Sequence, residues 1–424
     1  MRAITSRQLA ARVSLLTVTL IINTASAAIV SAPSYNAPST ISNFIRTSLE
    51  HQPILLAAQA DIAAAKANFQ ASTQAIYNPE LILDYENSSV TTQKIGVSQT
   101  LDRGDQQGSR TAVAKVQLQV ITTNYTIAAH SFVAKVLAGL ATKQTAEQLA
   151  RLSVETLQLM QTFKQVAEQR HQAGDLNQVD LNLARLAYNQ ALMEHAKALS
   201  SETEAQERLR AIVGNFPTDL PILPEQLPEP ILQDDLEPFL MSLPNIYSKM
   251  AEVQSNRQQI ALRKSEQAWD PTISVTAGSE GNDNLIGLNF SIPLNVRNNF
   301  SAEVDVAYQN MIASEQRAQQ SYRDTRASLI ATTERYRNLL NAWNNWRENS
   351  RDSVNQQLIL VKQLWDVGDI SAADYLLQLK QALETQAIGL ELRNQLWQVA
   401  FDWMKLTSSV DKWLNMNIDF QEKN

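Results

Sequence analysis

The 424-residue chain contains no cysteine. That excludes disulfides, thiolate metal sites and a lipid-anchored export route through a lipobox cysteine. Glycine and proline are scarce, at 11 and 13 residues, so long uninterrupted helices are permitted over most of the length. Basic charge is also short, with 36 Lys and Arg against 43 Asp and Glu. Nucleic acid is thereby disfavoured as a partner, because neutralising phosphates requires a basic face. Long apolar runs are missing as well. The longest early run, Val13–Ile22, falls short of the about 20 residues a membrane-spanning helix needs. A protein of this composition that lives in a membrane must do so as a β-barrel. The four histidines, His51, His130, His171 and His195, are too widely spaced for a metal site. No phosphate loop, Ser-His-Asp pattern or catalytic carboxylate pair is visible, so neither enzymatic activity nor a cofactor is expected.

What is present begins with an export signal. Arg2, Arg7 and Arg12 precede Val13–Ile22, and Ala25-Ser26-Ala27 fits small-x-small cleavage. Residues 1–27 read as a signal peptide, with the mature chain starting near Ala28; an uncleaved anchor is the competing reading.

The remainder is written twice. Tyr77-Asn78-Pro79 is answered by Trp269-Asp270-Pro271, and Ile95-Gly96-Val97 by Ile286-Gly287-Leu288. The run GDLNQVDLNL from Gly174 is answered by GDISAADYLL from Gly368, each echo lying about 190 residues further on. The organisation follows: a first repeat over 28–213, a connector over 214–245, a second repeat over 246–409 and a tail over 410–424. The connector carries Pro217, Pro221, Pro224, Pro228, Pro230, Pro238 and Pro244, a density through which helix cannot run. Each repeat reads as one helix (39–76 and 237–268), two strands, a very long helix (106–172 and 300–367) and a last helix of about 38 residues. Leu149, Leu152, Thr156, Leu159, Phe163 and Val166 keep coiled-coil spacing, as do Leu329, Thr332, Tyr336, Leu339, Trp343 and Trp346. Trp343, Trp346 and Trp365 on this seam read as packing residues. A helix of that length reaches about 100 Å. The two shorter helices, stacked end to end, match the long one.

The strands alternate. Leu81, Leu83 and Tyr85 stand between acidic neighbours, and Ile286, Leu288 and Phe290 between Gly287 and Asn289. Segments of about nine or ten residues with one apolar face carry the code of a membrane barrel with a wet lumen. Leu83 and Leu288 are expected to face lipid, Ser98 and Asn289 the lumen. Two half-buried soluble hairpins share the alternation, and a soluble periplasmic coiled-coil scaffold shares the helices. Four strands cannot close a barrel, and open edges are forbidden in lipid. Three copies would supply twelve.

At the helix turns, Gly174 and Gly368 stand where a left-handed residue ends a helix. Asn177 and Ser371 occupy N-cap positions, with Asp180 and Asp374 three residues on. Capping alone explains that spacing.

The duplicated plan and the two G-D-[LI]-x-x-x-D motifs resemble the TolC-like outer-membrane factors over essentially the whole mature chain. NPELILDYEN followed by IGVSQTLDRG is similar to the CzcC-like branch, which serves heavy-metal RND pumps. That branch often carries a more basic run where this chain has Arg103-Gly104-Asp105-Gln106-Gln107. The resemblance implies a mostly α fold with a small β part. It implies a homotrimer with a twelve-stranded barrel in outer-membrane lipid and an α-helical barrel in the periplasm. The partners implied are a periplasmic adaptor protein and an inner-membrane transporter, and the function a passive efflux channel. Heavy-metal cations are the cargo of the branch it resembles; drug efflux and type I secretion are the alternatives within the family. The resemblance also gives Asp374 a second reading, as part of an acidic constriction at the periplasmic entrance. Asp180 reads as a cap or an adaptor contact. Gly174, Asp175, Leu176, Gly368, Asp369 and Ile370 are expected to be tip residues, with the side chains of both turns exposed to the adaptor.

Overall fold

The computed structural model describes residues 36–215, 219–232 and 235–420, and the signal sequence and Ala28 lie outside them. Apolar spacing and the scarcity of Gly and Pro produce a mostly helical chain. α1 (Ser39–Glu50) and α2 (Pro53–Ser72) lead into strands β1 (Glu80–Asn87) and β2 (Thr91–Thr100). The long α3 (Gln106–Ala173) and the returning α4 (Gln178–Val213) complete the first repeat. The second runs through α5 (Leu236–Ser242), α6 (Pro244–Ser265), β3 (Thr272–Glu280), β4 (Asp283–Ser291) and α7 (Ser301–Asn345). A π-helical turn (Trp346–Ser350), α8 (Arg351–Val367), α9 (Ala372–Leu406) and the short α10 (Val410–Leu414) follow.

Four expectations are corrected. The helix expected over 39–76 is two helices, because Pro53 lacks the N–H an interior position must donate and instead begins α2. The helix expected over 237–268 breaks for the same reason at Pro244, which begins α6. Part of the proline-rich 214–245 is therefore helical, as α5. Finally, the helix expected over 300–367 is interrupted by the π turn, whereas α3 runs its full 68 residues unbroken.

Short helices line long ones. Thr111 donates to the carbonyl of Ser72, which sets α2 beside the start of α3. Arg185 pairs with Glu168 at 3.3 Å, which sets α4 beside its far end. Two separate apolar cores result. The larger gathers α1, the connector and α10 around α3, α7 and α9, with Ile41, Leu137, Tyr336, Trp397, Phe401 and Trp413 at its centre. The smaller holds the far end of the helices together through Phe163, Ala184, Val361, Trp365, Tyr375 and Leu379. Among the described residues no helix is long and apolar enough to cross a membrane.

The strands form one antiparallel sheet in the order β1-β2-β3-β4. The central pairing joins the two repeats, with Ile95 opposite Ala277 and Val97 opposite Val275.

Candidate pore: the strand sheet and the helical tips

Register decides which side chains share a face, since directly paired residues project to the same side. Leu81 pairs with Val97, Val97 with Val275 and Val275 with Leu288. Leu83, Ile95, Ala277 and Ile286 form the next row on that face. No charged residue lies on it along the four strands, and its large apolar side chains are exposed: Ile286 is 87% and Leu288 79% exposed. The opposite face holds Glu80, Asp84, Glu86, Glu280 and Asp283, balanced only by Lys94, which stands opposite Asp84. Ser98, Gly96, Thr276, Gly287 and Asn289 add small or polar groups to that face, on which Ile82 and Leu285 also lie. The outward placing of Leu83 and Leu288 and the opposite placing of Ser98 and Asn289 agree with the alternation. β1 and β4 each keep one unpaired edge.

A buried carboxylate fastens the sheet to the helices. Asp270 Oδ2 accepts from the Tyr77 hydroxyl and from Gln106 Nε2, both at 2.8 Å, and Oδ1 accepts from the Arg103 N–H at 3.1 Å. Burial, and then the bond to Asp270, push the Tyr77 hydroxyl up to about 12. Beside this knot the Arg103 guanidinium lies 4.0 Å from the centre of the Trp269 ring. The repeated Tyr77-Asn78-Pro79 and Trp269-Asp270-Pro271 are legible in the sequence as landmarks; their partners emerge only from the fold.

At the far end the two turns are built alike. Gly174 takes φ +86° and Gly368 φ +83°, conformations that side chains disfavour. The Asn177 side chain accepts from the Asp180 N–H at 2.9 Å, and Ser371 Oγ accepts from the Asp374 N–H at 3.1 Å. Each cap donates back to the carboxylate, Asn177 Nδ2 to Asp180 and Ser371 Oγ to Asp374. Both aspartates are thus engaged at helix N-termini, where negative charge is favourable. Asp374 remains solvent-exposed and Asp180 is half-buried.

Gly174, Asp175, Gly368 and Asp369 are exposed, but Leu176 and Ile370 are not the exposed turn residues expected. Both are half-buried against the lower core, because folding the turn back leaves their apolar side chains over Phe163 and its neighbours. One contact at the tip is not legible in the sequence. Arg170 donates to the Trp365 carbonyl at 2.7 Å and stacks 4.3 Å from its ring, joining the two hairpins. Trp365, read from the sequence as packing, stacks on Tyr375 with ring centres 5.0 Å apart. Burial pushes the Tyr375 hydroxyl up to about 12.

The histidines are dispersed. His171 bonds the Leu176 carbonyl at 2.8 Å and His195 the Ser153 hydroxyl at 2.9 Å. His130 is buried in the upper core, where desolvation lowers its proton affinity against the pull of Asp411 and Asp419. No cluster of three metal-ligating side chains occurs among the described residues.

Residues 44–215 match the family model of outer membrane efflux proteins. The chain is 25% identical over 280 residues to the cobalt-zinc-cadmium resistance protein CzcC of Cupriavidus metallidurans. That alignment covers 63% of this chain and 64% of CzcC, somewhat less than two thirds of the relative's length. Among solved structures, CusC superposes with TM-score 0.74 at 13% identity, covering 88% of this chain and 93% of CusC. The open-state MtrE channel of Neisseria gonorrhoeae gives 0.73 at 17% identity, covering 88% and 90%. The CmeC outer membrane channel of Campylobacter jejuni gives 0.73 at 12%, covering 92% and 94%. The structural likenesses establish the fold, long helices carrying a small antiparallel sheet. Over residues 44–215 the chain matches the family of outer membrane efflux proteins, and its fold is that of the outer membrane channels named above.

Proposed function

We propose that three copies of this chain assemble into a passive export duct, a twelve-stranded barrel continued by an α-helical barrel. The observation that carries this reading is the sheet itself. It has an apolar, unpartnered face, a polar opposite face and two unpaired edges. In lipid each unsatisfied backbone group costs several kcal/mol, so the edges must be closed by other copies. The helices support the same closure. α2 and α4 flank α3 on one side of the chain, and α7 and α8 flank α6 and α9 on the other. Both flanks expose large apolar groups: Ile54, Leu186 and Met193 on the first, Val306, Ile359 and Leu360 on the second.

The duct works in a tripartite efflux system, with its tips meeting a periplasmic adaptor that couples it to an inner-membrane RND transporter. Gly174, Asp175, Gly368 and Asp369 offer the exposed surface for that contact. Heavy-metal cations are the proposed cargo. The resistance named for the CzcC relative supports this, and so does the acidic inner face of the sheet, which attracts cations without holding them. The connections at the distal end of the strands are three residues and two residues long, Ser88–Val90 and Gly281–Asn282, too short to cover the exit. Closure therefore belongs to the periplasmic end, where Asp374 contributes a ring of three carboxylates.

Deleting the gene from its native host tests the cargo. Greater sensitivity to divalent heavy metals, reversed by the intact gene, is the expected result. Unchanged metal tolerance with greater sensitivity to organic drugs would assign the duct to drug efflux, and a lost secreted protein to type I secretion.

A further inference from the structure

We propose that Arg103 and Trp269, at the base of the sheet's apolar face, form a binding site for the phosphate group of a glycerophospholipid in the periplasmic leaflet. The inference rests on the reading of the sheet as part of a membrane barrel. It adds a ligand and the residues that hold it.

The register places the pair. Below the last strand rows the Leu101 N–H still donates to the Pro271 carbonyl at 2.9 Å, and the Arg103 N–H donates to Asp270 at 3.1 Å. The ladder continued in this way sets Arg103 opposite Trp269, on the face that carries Val97 and Val275. Trp269 lies ten residues before Ser279, whose row with Tyr85 and Gln93 borders the other end of that face. At about 3.4 Å per residue and a tilt of about 35–45°, ten residues descend about 24–28 Å. The apolar band of a membrane barrel is about 25 Å tall and ends in aromatic girdles. Trp269 therefore stands at the lower border of the band, where the lipid headgroups begin.

The side chains suit a phosphate. The Arg103 guanidinium lies 4.0 Å from the centre of the Trp269 ring. Stacking uses the flat face of the guanidinium and leaves its edge, the fork of N–H donors that matches a phosphate. Among the described residues no carboxylate or carbonyl takes those donors. Arg103 is exposed and Trp269 is 38% exposed, so a headgroup can reach both.

The backbone beneath is fixed. Gly104 passes against the Ser265 carbonyl, where a Cβ would come within 2.3 Å. The N-terminus of α3 is not the anion's anchor, because Asp102 already accepts from the Gln106 and Gln107 N–H groups at 2.9 and 2.8 Å. The repeat carries no second pair. Leu294 follows β4 as Arg103 follows β2, and Tyr77, the counterpart of Trp269, has its hydroxyl bound to Asp270. One site per chain follows, at the join of β2 and β3 and away from both open edges of the sheet.

Native mass spectrometry of the full-length oligomer, released from detergent micelles, counts the lipid it retains. Titration with dioleoylphosphatidylglycerol should load one tightly held molecule per chain. Dioleoylglycerol, with the same acyl chains and no phosphate, should not be retained. Inorganic phosphate at equal concentration should not displace the phospholipid. Arg103→Gln should weaken retention about tenfold or more, because it removes charged hydrogen bonds. Trp269→Leu keeps the charge but not the stacking platform; it should weaken retention less, and it decides the matter if Arg103→Gln fails to assemble. Arg110→Gln, which removes an exposed charge further down α3, should change nothing. Equal effects of Arg103→Gln and Arg110→Gln, or retention unmoved by Arg103→Gln or Trp269→Leu, would overturn the site and leave the duct standing. Displacement by inorganic phosphate would make this a free-anion site and overturn the lipid assignment. A reconstituted protein that conducts no ions would overturn the duct, and with it the membrane level assigned to the pair.

Discussion

Asp374 and Asp180 sit in nearly superimposable local settings, each three residues beyond a side chain that caps its own helix. Their proposed roles differ only through position in the assembly. Three exposed Asp374 carboxylates converging on an axis attract cations; a capping carboxylate does so weakly. Asp374→Asn keeps the size and much of the local bonding while removing the charge. In planar-bilayer recordings it should lower cation selectivity and relieve block by multivalent cations added from the periplasmic side. Asp180→Asn should do less of both. Equal effects would mean that the two tips share the entrance, and an Asp374→Asn channel like the unaltered one would leave Asp374 as a cap. Ser371→Ala tests the cap separately, by lowering stability about 0.5–2 kcal/mol with selectivity retained.

The buried His130 carries a prediction about pH. Desolvation holds its folded-state proton affinity below that of a free histidine, which titrates near 6.5. The unfolded chain therefore takes up this proton first as pH falls. Stability contributed by neutral His130 is complete above about 6.5 and declines below it. His130→Gln should flatten the dependence of the thermal midpoint on pH between about 6.5 and 5, read by differential scanning calorimetry of the detergent-solubilised protein. An unaltered slope would contradict the assignment. Residues such as His130 mark the limit of what the sequence discloses. Its wide spacing from other histidines is legible in the sequence, but burial and the approach of Asp411 depend on where the tail folds. The caps at Asn177 and Ser371 were legible because capping is local. Arg170 on Trp365 was not, because the two residues meet only through tertiary packing of separate repeats.

At the scale of elements, the strands were the most legible part. Their period of two fixes the faces directly, and the register places Leu83 and Leu288 together on the apolar side. Leu83→Arg or Leu288→Arg should impair membrane insertion by about 2–4 kcal/mol if the site lies near the bilayer midplane. Asn289→Arg, on the wet face, should be much milder. Heat-resistant oligomer recovered from outer-membrane fractions measures the difference, and similar losses at all three sites would reverse the facing. The helices were legible in kind but not in their breaks. Pro53 and Pro244 stand inside otherwise helical patterns, and each begins a new helix, a signal local enough to have been read. The π turn differs: no property of WRENS alone requires it, and it forms where Trp346 meets a glycine of another helix. Half-burial of Leu176 and Ile370 likewise follows from the turn folding back on the lower core, which leaves the glycines and aspartates as the surface a partner would meet.

At the scale of the molecule, the chain is a fragment of a surface that must be completed. Its sheet has two open edges, both flanks of its helical body expose apolar side chains, and its acidic groups gather on one face of the sheet. None of these features suits an isolated protomer in lipid, and the proposed duct would resolve all of them by rotation about one axis. The twofold internal repeat, joined through β2 and β3, means that each chain already supplies two similar segments of the wall. The most direct test is the mass of the full-length protein extracted from outer membranes, by light scattering with the detergent contribution subtracted. One chain weighs 47.3 kDa before any processing. A particle of three chains is the expected result, and a monomer that still conducts ions in a bilayer would contradict the assembly on which the duct depends.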